Sequence, residues 1–296
     1  MYEIETFLKK IEANYLSHNK KYFSIWDGDK IVKYNLNYKS INGLETMFFP
    51  EKKGIVSLVD KFDNGEINKL GLILYGAPGT GKTTLIRAIS KRLNRNIVSI
   101  KLSEVESYMK LMDLLHNNIN ESVIIFEDVD ADTYIVFRRP NKENESSEDN
   151  SEFESYKGYK IIHKDKKNEK DKNDTDKDKS YIFKKKLLLS DVLNVFDGVL
   201  PLTNSVIIMT TNHFDKLDPA LTRPGRFNKC IELKMLKVQN ILEIISFQYK
   251  VDINTVETMF SKILRDDIFT TAQLYEYMIE SNDIDELHNL IQHQVK

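Results

Sequence analysis

From Leu70 onward, short apolar runs alternate with segments whose apolar side chains recur at helical spacing. The apolar runs are uninterrupted stretches of Ile, Val and Leu, which is typical of parallel strands that are buried on both faces. The predicted strands are Leu70–Tyr75, Asn96–Leu102, Ser122–Glu127, Ser205–Thr210 and Lys229–Lys234, and the predicted helices are Lys82–Leu93, Glu104–His116, Lys186–Phe196 and Val238–Tyr249. The alternation predicts an α/β fold in which helices cover a parallel sheet.

Two further elements precede this alternating region. Residues 2–16 carry apolar side chains at helical spacing, which predicts an amphipathic helix. Residues 22–34 are typical of a β-hairpin with its turn at Asp27-Gly28. We assign residues 1–43 to an N-terminal region made of this helix and hairpin, and its function is not readable from the pattern.

Residues 141–180 interrupt the pattern with a long run of Lys, Asp, Glu and Asn. Such a segment contains too little apolar surface to offset its ordering entropy. It is therefore predicted to be a disordered, charged insertion, and the balance of its charges excludes a basic arm for nucleic acid.

Composition narrows the possible functions. The 296-residue chain has a formal net charge of −2, which argues against a general nucleic-acid binder. Its one cysteine, Cys230, excludes a disulfide framework and a cysteine-based zinc site. No secretory signal and no run of about 18 apolar residues is present, so we expect a cytoplasmic protein without a membrane span.

One segment carries the strongest chemical signal, because it satisfies the phosphate-loop pattern GxxxxGK[ST] between a predicted strand and a predicted helix. It runs Gly76-Ala77-Pro78-Gly79-Thr80-Gly81-Lys82-Thr83, and we assign these residues and Thr84 to nucleotide binding. Glycines let backbone N–H groups surround phosphate oxygens, while the helix start and Lys82 add positive charge. Thr83 would place its hydroxyl on Mg²⁺. The sequence therefore predicts a P-loop NTPase three-layer sandwich that binds ATP and Mg²⁺.

A second group of candidate residues follows the predicted strand Ser122–Glu127. Glu127 and Asp128 stand at its end, and Asp130 comes two residues later. Carboxylates at the tip of a buried strand are costly without a cation. In a phosphate-loop protein one of them serves the Mg²⁺ shell and a second serves the attacking water.

A third group begins with an apolar strand that ends at Asn212 and continues into Asp218-Pro219-Ala220-Leu221-Thr222-Arg223-Pro224-Gly225-Arg226-Phe227. Together with the phosphate loop and the acidic strand end, this order of motifs resembles the AAA family of ATPases over roughly residues 44–250. The resemblance implies an ATPase core at 44–236, a helical C-terminal lid at 237–296, and a homo-oligomeric ring of six or seven subunits. It makes Asn212 a sensor of the γ-phosphate, and Arg223 and Arg226 arginine fingers for a neighbouring subunit's nucleotide.

The resemblance can be narrowed to one branch of the family. Residues 126–131, 193–199 and 209–213 resemble the mitochondrial branch that moves the folded Rieske iron–sulfur protein across the inner membrane. The order Glu then Asp is characteristic of that branch, and it makes Glu127 the metal-side acid and Asp128 the base. Residues 270–274 also resemble the start of a helix in that branch's lid.

The chain also departs from that branch. The branch has an N-terminal membrane span, which we do not expect in this chain, and a larger N-terminal domain, which we expect to be reduced here to a remnant around residues 20–60. After the predicted strand at 96–102, Ser103-Glu104-Val105 stands in place of an aromatic-hydrophobic-Gly pore loop, so threading of unfolded chain is not supported.

We therefore predict an ATP-hydrolysing AAA protein that remodels or translocates an unknown protein partner. Two alternatives stay open at this point. One is a nucleotide-dependent scaffold with low turnover, since Asp128 is shorter than the usual Glu. The other is a nucleic-acid-remodelling AAA protein, against which the neutral charge counts.

Overall fold

A computed structural model describes residues 21–132, 159–162, 182–185, 187–197 and 202–294. The helix predicted at residues 2–16 lies outside these ranges. Most of the insertion predicted at residues 141–180 lies outside them as well.

Seven strands form one sheet in the order β2-β1-β4-β5-β8-β3-β9. They are β1 (Lys21–Trp26), β2 (Ile31–Leu36), β3 (Lys69–Tyr75), β4 (Asn96–Ser99), β5 (Ser122–Phe126), β8 (Ser205–Thr211) and β9 (Lys229–Glu232). Every neighbouring pair is parallel except β1 with β2. The predicted α/β P-loop fold is confirmed.

Helices cover the sheet and form a separate group after it. They are α1 (Lys52–Asp63), α2 (Lys82–Arg92), α3 (Tyr108–Asn118), α4 (Val129–Asp132), α5 (Leu189–Asp197), α6 (Val238–Tyr249), α7 (Ile253–Phe260), α8 (Thr271–Glu280) and α9 (Ile284–Gln294).

The largest difference from the predicted boundaries falls between β4 and α3. The strand ends at Ser99 rather than at Leu102, because Leu102–Glu104 form a 3-10 turn. The helix begins at Tyr108 rather than at Glu104, because the Ser107 side chain accepts a hydrogen bond from the backbone N–H of Lys110 and caps it.

The sheet separates two hydrophobic clusters. In β5, Ile124 and Phe126 belong to the cluster on one face, and Val123 and Ile125 belong to the cluster on the other. All of β5 is buried, as expected for a strand in the centre of a parallel sheet. This burial fixes the height and direction at which the residues after Phe126 leave the sheet.

The helices α6 to α9 enclose a third hydrophobic cluster. One segment of the N-terminal half links this lid to the core. Met47 and Phe49 pack against the core cluster on the α1 and α2 side, whereas Phe48 between them packs against the lid cluster. The Phe48 ring also contacts Phe247 of α6, with 5.8 Å between ring centroids.

The predicted N-terminal hairpin is present, but it is part of the central sheet. β1 pairs with β2 in antiparallel register and with β4 in parallel register, so that Phe23 lies opposite Ile97. Trp26 at the end of β1 is buried in the core. The hairpin therefore extends the central sheet, and the domain boundaries proposed from sequence stay predictions.

Part of the charged insertion departs from the prediction. Strand β6 (Tyr159–Ile162) pairs in antiparallel register with β7 (Ile182–Lys185), so the prediction of disorder is wrong for residues 159–162. These four residues, Tyr-Lys-Ile-Ile, combine aromatic and β-branched types that favour strands. The rest of residues 141–180 lies outside the described ranges, where the prediction stays untested.

Candidate active site

A cleft of about 660 Å³ opens at the carboxyl-terminal edge of the sheet. In an α/β sheet this edge is where ligands bind. The phosphate loop, Asp128 and Asn212 line it from the core, and Thr271, Ala272 and Tyr275 line it from the lid. Thr46 to Glu51 and the segment after β9 complete its walls.

The phosphate loop has the backbone conformation that its glycines permit. Gly76, Gly79 and Gly81 all have positive φ, at 137°, 79° and 99°. The Thr80 hydroxyl donates to the Ala77 carbonyl at 2.8 Å and closes the turn. Helix α2 starts directly after Gly81, so its unpaired N–H groups and its dipole face the cleft. The segment can hold phosphate oxygens without rearrangement of its fold.

Gly76 is required for a second reason, which sequence reasoning did not identify. β9 continues past its end beside β3, since the Leu233 N–H donates to the Tyr75 carbonyl at 2.8 Å. A Cβ at Gly76 would lie 2.1 Å from the Leu233 carbonyl oxygen. No side chain therefore fits at Gly76 without displacement of backbone.

We expect Gly76→Ala to lower the free energy of unfolding by roughly 2 kcal/mol more than Gly65→Ala, in line with the cost of overpacking. Gly65 is the matched control, because it also has positive φ but has open space around its Cβ position. Chemical denaturation of both variants measures the difference. Equal losses in the two variants would contradict the close approach of Leu233.

The Lys82 side chain is buried at the mouth of the loop. Its Nζ donates to the Gly76 carbonyl at 2.7 Å, to the Ala77 carbonyl at 3.1 Å and to Asn212 Oδ1 at 2.8 Å. Burial lowers the pKa of Lys82, while the nearby Asp128 and Asp130 raise it. The structure thus brings together two residues predicted from motifs 130 positions apart along the chain.

The two neighbouring acids have different surroundings, because the strand ends at Phe126 and the backbone turns at Asp128. Glu127 is half-buried, and its Oε2 accepts from the Ser99 hydroxyl at 3.2 Å. Burial raises the pKa of Glu127, Asp128 raises it further, and the Ser99 hydrogen bond and Arg87 lower it. Asp128 instead is exposed and lines the cleft.

Asp128 is held in an unusual conformation. Its φ is +44°, in the left-handed region that few residues other than glycine adopt. Its backbone N–H donates to the Thr210 hydroxyl of β8 at 2.9 Å. Strained backbone of this kind concentrates at functional sites, where neighbouring structure maintains it. Thr210 therefore helps to direct the Asp128 carboxylate into the cleft.

Asp130, in the short helix α4 that follows Asp128, supports Asn212. Its Oδ1 accepts from the Asn212 backbone N–H at 3.1 Å, while the Asn212 side chain meets Lys82. The sequence placed Asp130 near the site but assigned it no role. The Asp-x-Asp spacing after Glu127 was the available signal, although only the adjacent position of β5 and β8 shows its partner.

The lid touches the phosphate loop directly. The Ala272 N–H of α8 donates to the Gly79 carbonyl at 3.0 Å. A capping box between Thr270 and Gln273 fixes the start of α8 beside the loop. A change in the position of Gly79 would therefore shift the start of α8 and the lid cluster that packs behind it.

The two predicted arginine fingers lie away from this cleft, and neither lines it. They belong to a turn beside the other half of β3, where Gly71 N–H donates to Asn228 Oδ1 at 2.6 Å. From Gly71 to the end of β3 at Tyr75 the strand rises about 13 Å. Arg223 is exposed, whereas Arg226 pairs with Asp197 of α5.

Two observations concern other kinds of site. Within the described ranges, no group of three or more His, Cys, Asp or Glu side chains could hold a metal ion. No helix in the described part of the chain is long and apolar enough to cross a membrane.

Comparison with known proteins agrees with this geometry. The sequence model of the ATPase family associated with various cellular activities (AAA) matches residues 72–154 and 167–235. AAA-ATPase At5g40000 of Arabidopsis thaliana is 30% identical over 257 residues, which cover 81% of this chain and 49% of the relative. AAA-ATPase At3g28600 of the same plant is 31% identical over 225 residues, covering 74% and 41%.

A third similar protein is AAA-ATPase ASD, mitochondrial, of Arabidopsis thaliana, at 30% identity over 244 residues, covering 78% of this chain and 43% of the relative. The chain thus spans about half the length of the curated relatives it matches. The family model covers most of the sheet side of the cleft, from within β3 to the segment just after β9. With this match, and with the phosphate loop, Asp128 and Asn212 in one cleft, the chain belongs to the AAA family of ATPases.

Proposed function

We propose that the protein hydrolyses ATP in a homo-oligomeric ring and uses the cycle to remodel or translocate a protein partner. The observation that carries the proposal is the convergence of Lys82, Asp128 and Asn212 in one cleft that the lid contacts through Ala272. A site that only stored nucleotide would need no acid directed at it from a strained backbone position.

Each residue has a distinct role in this proposal. The loop N–H groups and Lys82 bind the phosphates. Thr83 and Glu127 hold Mg²⁺, which supplies positive charge to the phosphate oxygens when bound. Asp128 accepts the proton of the attacking water, and Asn212 orients that water beside the γ-phosphate. Burial and Ser99 keep Glu127 oriented.

The contact between α8 and the phosphate loop provides a route from chemistry to movement. Loss of the γ-phosphate changes the contacts available to Lys82 and to the loop around Gly79. Because the Ala272 N–H donates to the Gly79 carbonyl, a movement of the loop would also move the start of α8. The lid is also tied to the core by Phe48, whose neighbours Met47 and Phe49 pack on the core. Rotation of the lid about these contacts is how turnover would act on a partner.

The position of Arg223 supports assembly of the subunits into a ring, which is usual in this family. Arg223 lies too far along β3 from the phosphate loop to contact the nucleotide in its own cleft. Its guanidinium would instead contact the nucleotide of a neighbouring subunit. Such an arginine stabilises the transferring phosphoryl group and contributes about 10³-fold or more in rate.

A mixing experiment tests this proposal. ATPase activity per subunit should rise with protein concentration as rings assemble. Arg223→Ala should bind ATP but lose about 10³-fold in turnover. Mixing it with Asp128→Asn, which keeps its arginines, should restore part of the activity, because intact Asp128 sites receive Arg223 from neighbours.

Arg265→Ala is the control for this experiment, because Arg265 is an exposed lid arginine outside the cleft. It should retain turnover and need no mixing. If activity is independent of concentration and no mixture recovers any, the sites are not shared between subunits. Nucleotide binding without turnover in the wild type would instead indicate a scaffold.

The branch within the family is also a proposal. The Glu127-Asp128 order and the mitochondrial name of one relative support descent from the Rieske-translocase branch. The chain matches less than half of that relative, so neither its substrate nor its location transfers. Binding of purified folded and unfolded substrate proteins to Asp128→Asn rings with ATP would distinguish a translocator of folded proteins from an unfoldase.

A further inference from the structure

The two arginines share one turn, residues 222–228, which we call the arginine turn. Its far end is fixed to the sheet, since Asn228 exchanges hydrogen bonds with both backbone groups of Gly71. The Phe227 ring is buried and lies 5.0 Å from the Phe196 ring of α5, between centroids. The turn is therefore attached to β3 and to α5.

Arg226 is used within its own subunit. Its Nε and Nη2 each lie 2.6 Å from Asp197 Oδ2, and Nη1 donates to the Ala220 carbonyl. Only 12% of the Arg226 side chain is exposed. All three guanidinium nitrogens are engaged, so Arg226 could reach a second molecule only after it leaves Asp197 and loses these bonds.

Lys69 gives the turn another polar contact. Its Nζ lies 3.4 Å from the Gly225 carbonyl oxygen, 3.5 Å from the Phe196 carbonyl oxygen and 5.3 Å from the centre of the Phe196 ring. Burial lowers the pKa of Lys69, and attraction to Asp197 opposes that shift. Positive charge at Lys69 and Arg226 thus surrounds one carboxylate at the end of α5.

The Arg223 side chain is neither buried nor held by contacts of the kind that hold Arg226. It is exposed, and its side chain makes no hydrogen bond or ion pair with a described residue, although its backbone carbonyl accepts from the Arg226 N–H at 3.3 Å. Pro224 follows it and fixes one backbone angle between the two arginines. The guanidinium of Arg223 can therefore extend from a turn whose base is held in place.

We propose that the arginines have separate roles: Arg223 alone reaches the neighbouring subunit's nucleotide, whereas Asp197 and Arg226 are positioning residues that hold the arginine turn. The proposal rests on the shared-site function above and changes the role expected for Arg226 from sequence. It adds Asp197, to which the sequence analysis assigned no role, to the residues on which turnover depends.

The test is a charge swap between the two partners. Arg226→Asp and Asp197→Arg should each lower kcat by about 10- to 100-fold, the usual cost of a misplaced catalytic group, with KM for ATP unchanged. The double variant carrying both changes restores an ion pair at the same place and should recover at least half of the wild-type kcat. If Arg226 itself contacted the neighbour's nucleotide, that contact would be missing in the double variant and kcat would stay low, which would overturn the proposal.

A second set of variants keeps the proposal testable if the swapped pair packs poorly and the double variant does not recover. Asp197→Asn, Arg226→Ala and their combination should show the same loss of kcat, because each removes one shared interaction. Additive losses would overturn the proposal, as would normal turnover in Asp197→Asn. Thermal unfolding of each variant reports whether the fold is kept.

The loss of turnover caused by Asp197→Asn should occur at the neighbouring subunit's active site rather than in the subunit that carries the substitution. Asp197→Asn subunits mixed with Asp128→Asn subunits should regain turnover, because their own clefts are intact and receive Arg223 from the partner. No recovery would show that Asp197 acts on its own cleft and would overturn the proposal. Full turnover by Arg223→Ala would instead refute the shared-site function itself, so the two failures are distinguishable.

Discussion

Lys82→Ala should weaken nucleotide binding by at least about 100-fold. The Lys82 Nζ is buried among the carbonyls of Gly76 and Ala77 and the Asn212 side chain, where a phosphate would meet a full positive charge. Charge-assisted hydrogen bonds contribute about 1.5–3 kcal/mol each, and Lys82 can offer more than one. Titration with a fluorescent ATP analogue measures the affinity.

Lys91→Ala is the matched control for this variant, because it lies on the same helix α2 but bonds the Ile41 carbonyl outside the cleft. It should bind nucleotide as the wild type does. ADP should raise the unfolding temperature of Lys91→Ala and leave that of Lys82→Ala nearly unchanged, since a ligand stabilises only the fold that binds it. Wild-type affinity in Lys82→Ala would refute the phosphate-loop assignment.

Asp128→Asn should retain ATP binding and lose about 100-fold or more in kcat, the usual scale for a general base. Asn has nearly the same shape as Asp but cannot accept the proton of the attacking water. The carboxylate lines the cleft and its backbone is held by Thr210. Single-turnover hydrolysis with binding measured in parallel separates the two properties.

Two further substitutions calibrate that result. Asp130→Asn keeps the Oδ1 acceptor for the Asn212 N–H and should stay within a few-fold of wild type. Glu127→Gln should raise the Mg²⁺ concentration needed for half-maximal activity. If Glu127→Gln abolishes turnover at saturating Mg²⁺ while Asp128→Asn remains active, the roles of the two acids are reversed.

Local sequence was sufficient for the elements of the core. Uninterrupted Ile, Val and Leu runs predicted the parallel strands, and helix α6 has the predicted bounds, Val238–Tyr249. The ends of β4 and α3 were less accurate, because a 3-10 turn and the Ser107 cap decide them. Side-chain periodicity reports burial along an element, whereas its ends depend on single hydrogen bonds.

Strand order lay beyond the reach of the sequence. Nothing in residues 22–34 indicates that β1 lies beside β4 and extends the central sheet. The same holds for β6, whose pairing with β7 joins a segment within the charged insertion to one just after it. Pairing depends on which edges are left unpaired after the rest of the chain has folded, and a local pattern does not carry that information.

The residues of the candidate site also fall into two groups, those that local sequence predicted and those that only the tertiary structure identified. The phosphate loop was readable because its chemistry comes from consecutive backbone groups, so local sequence alone determined its glycines, Lys82 and Thr83. Only the tertiary structure decided that Asp128 faces the cleft and that Asp130 supports Asn212. It likewise placed Asp197 against Arg226. Interactions between side chains that are distant in sequence depend on three-dimensional distance and direction, and these exist only once the strands lie side by side.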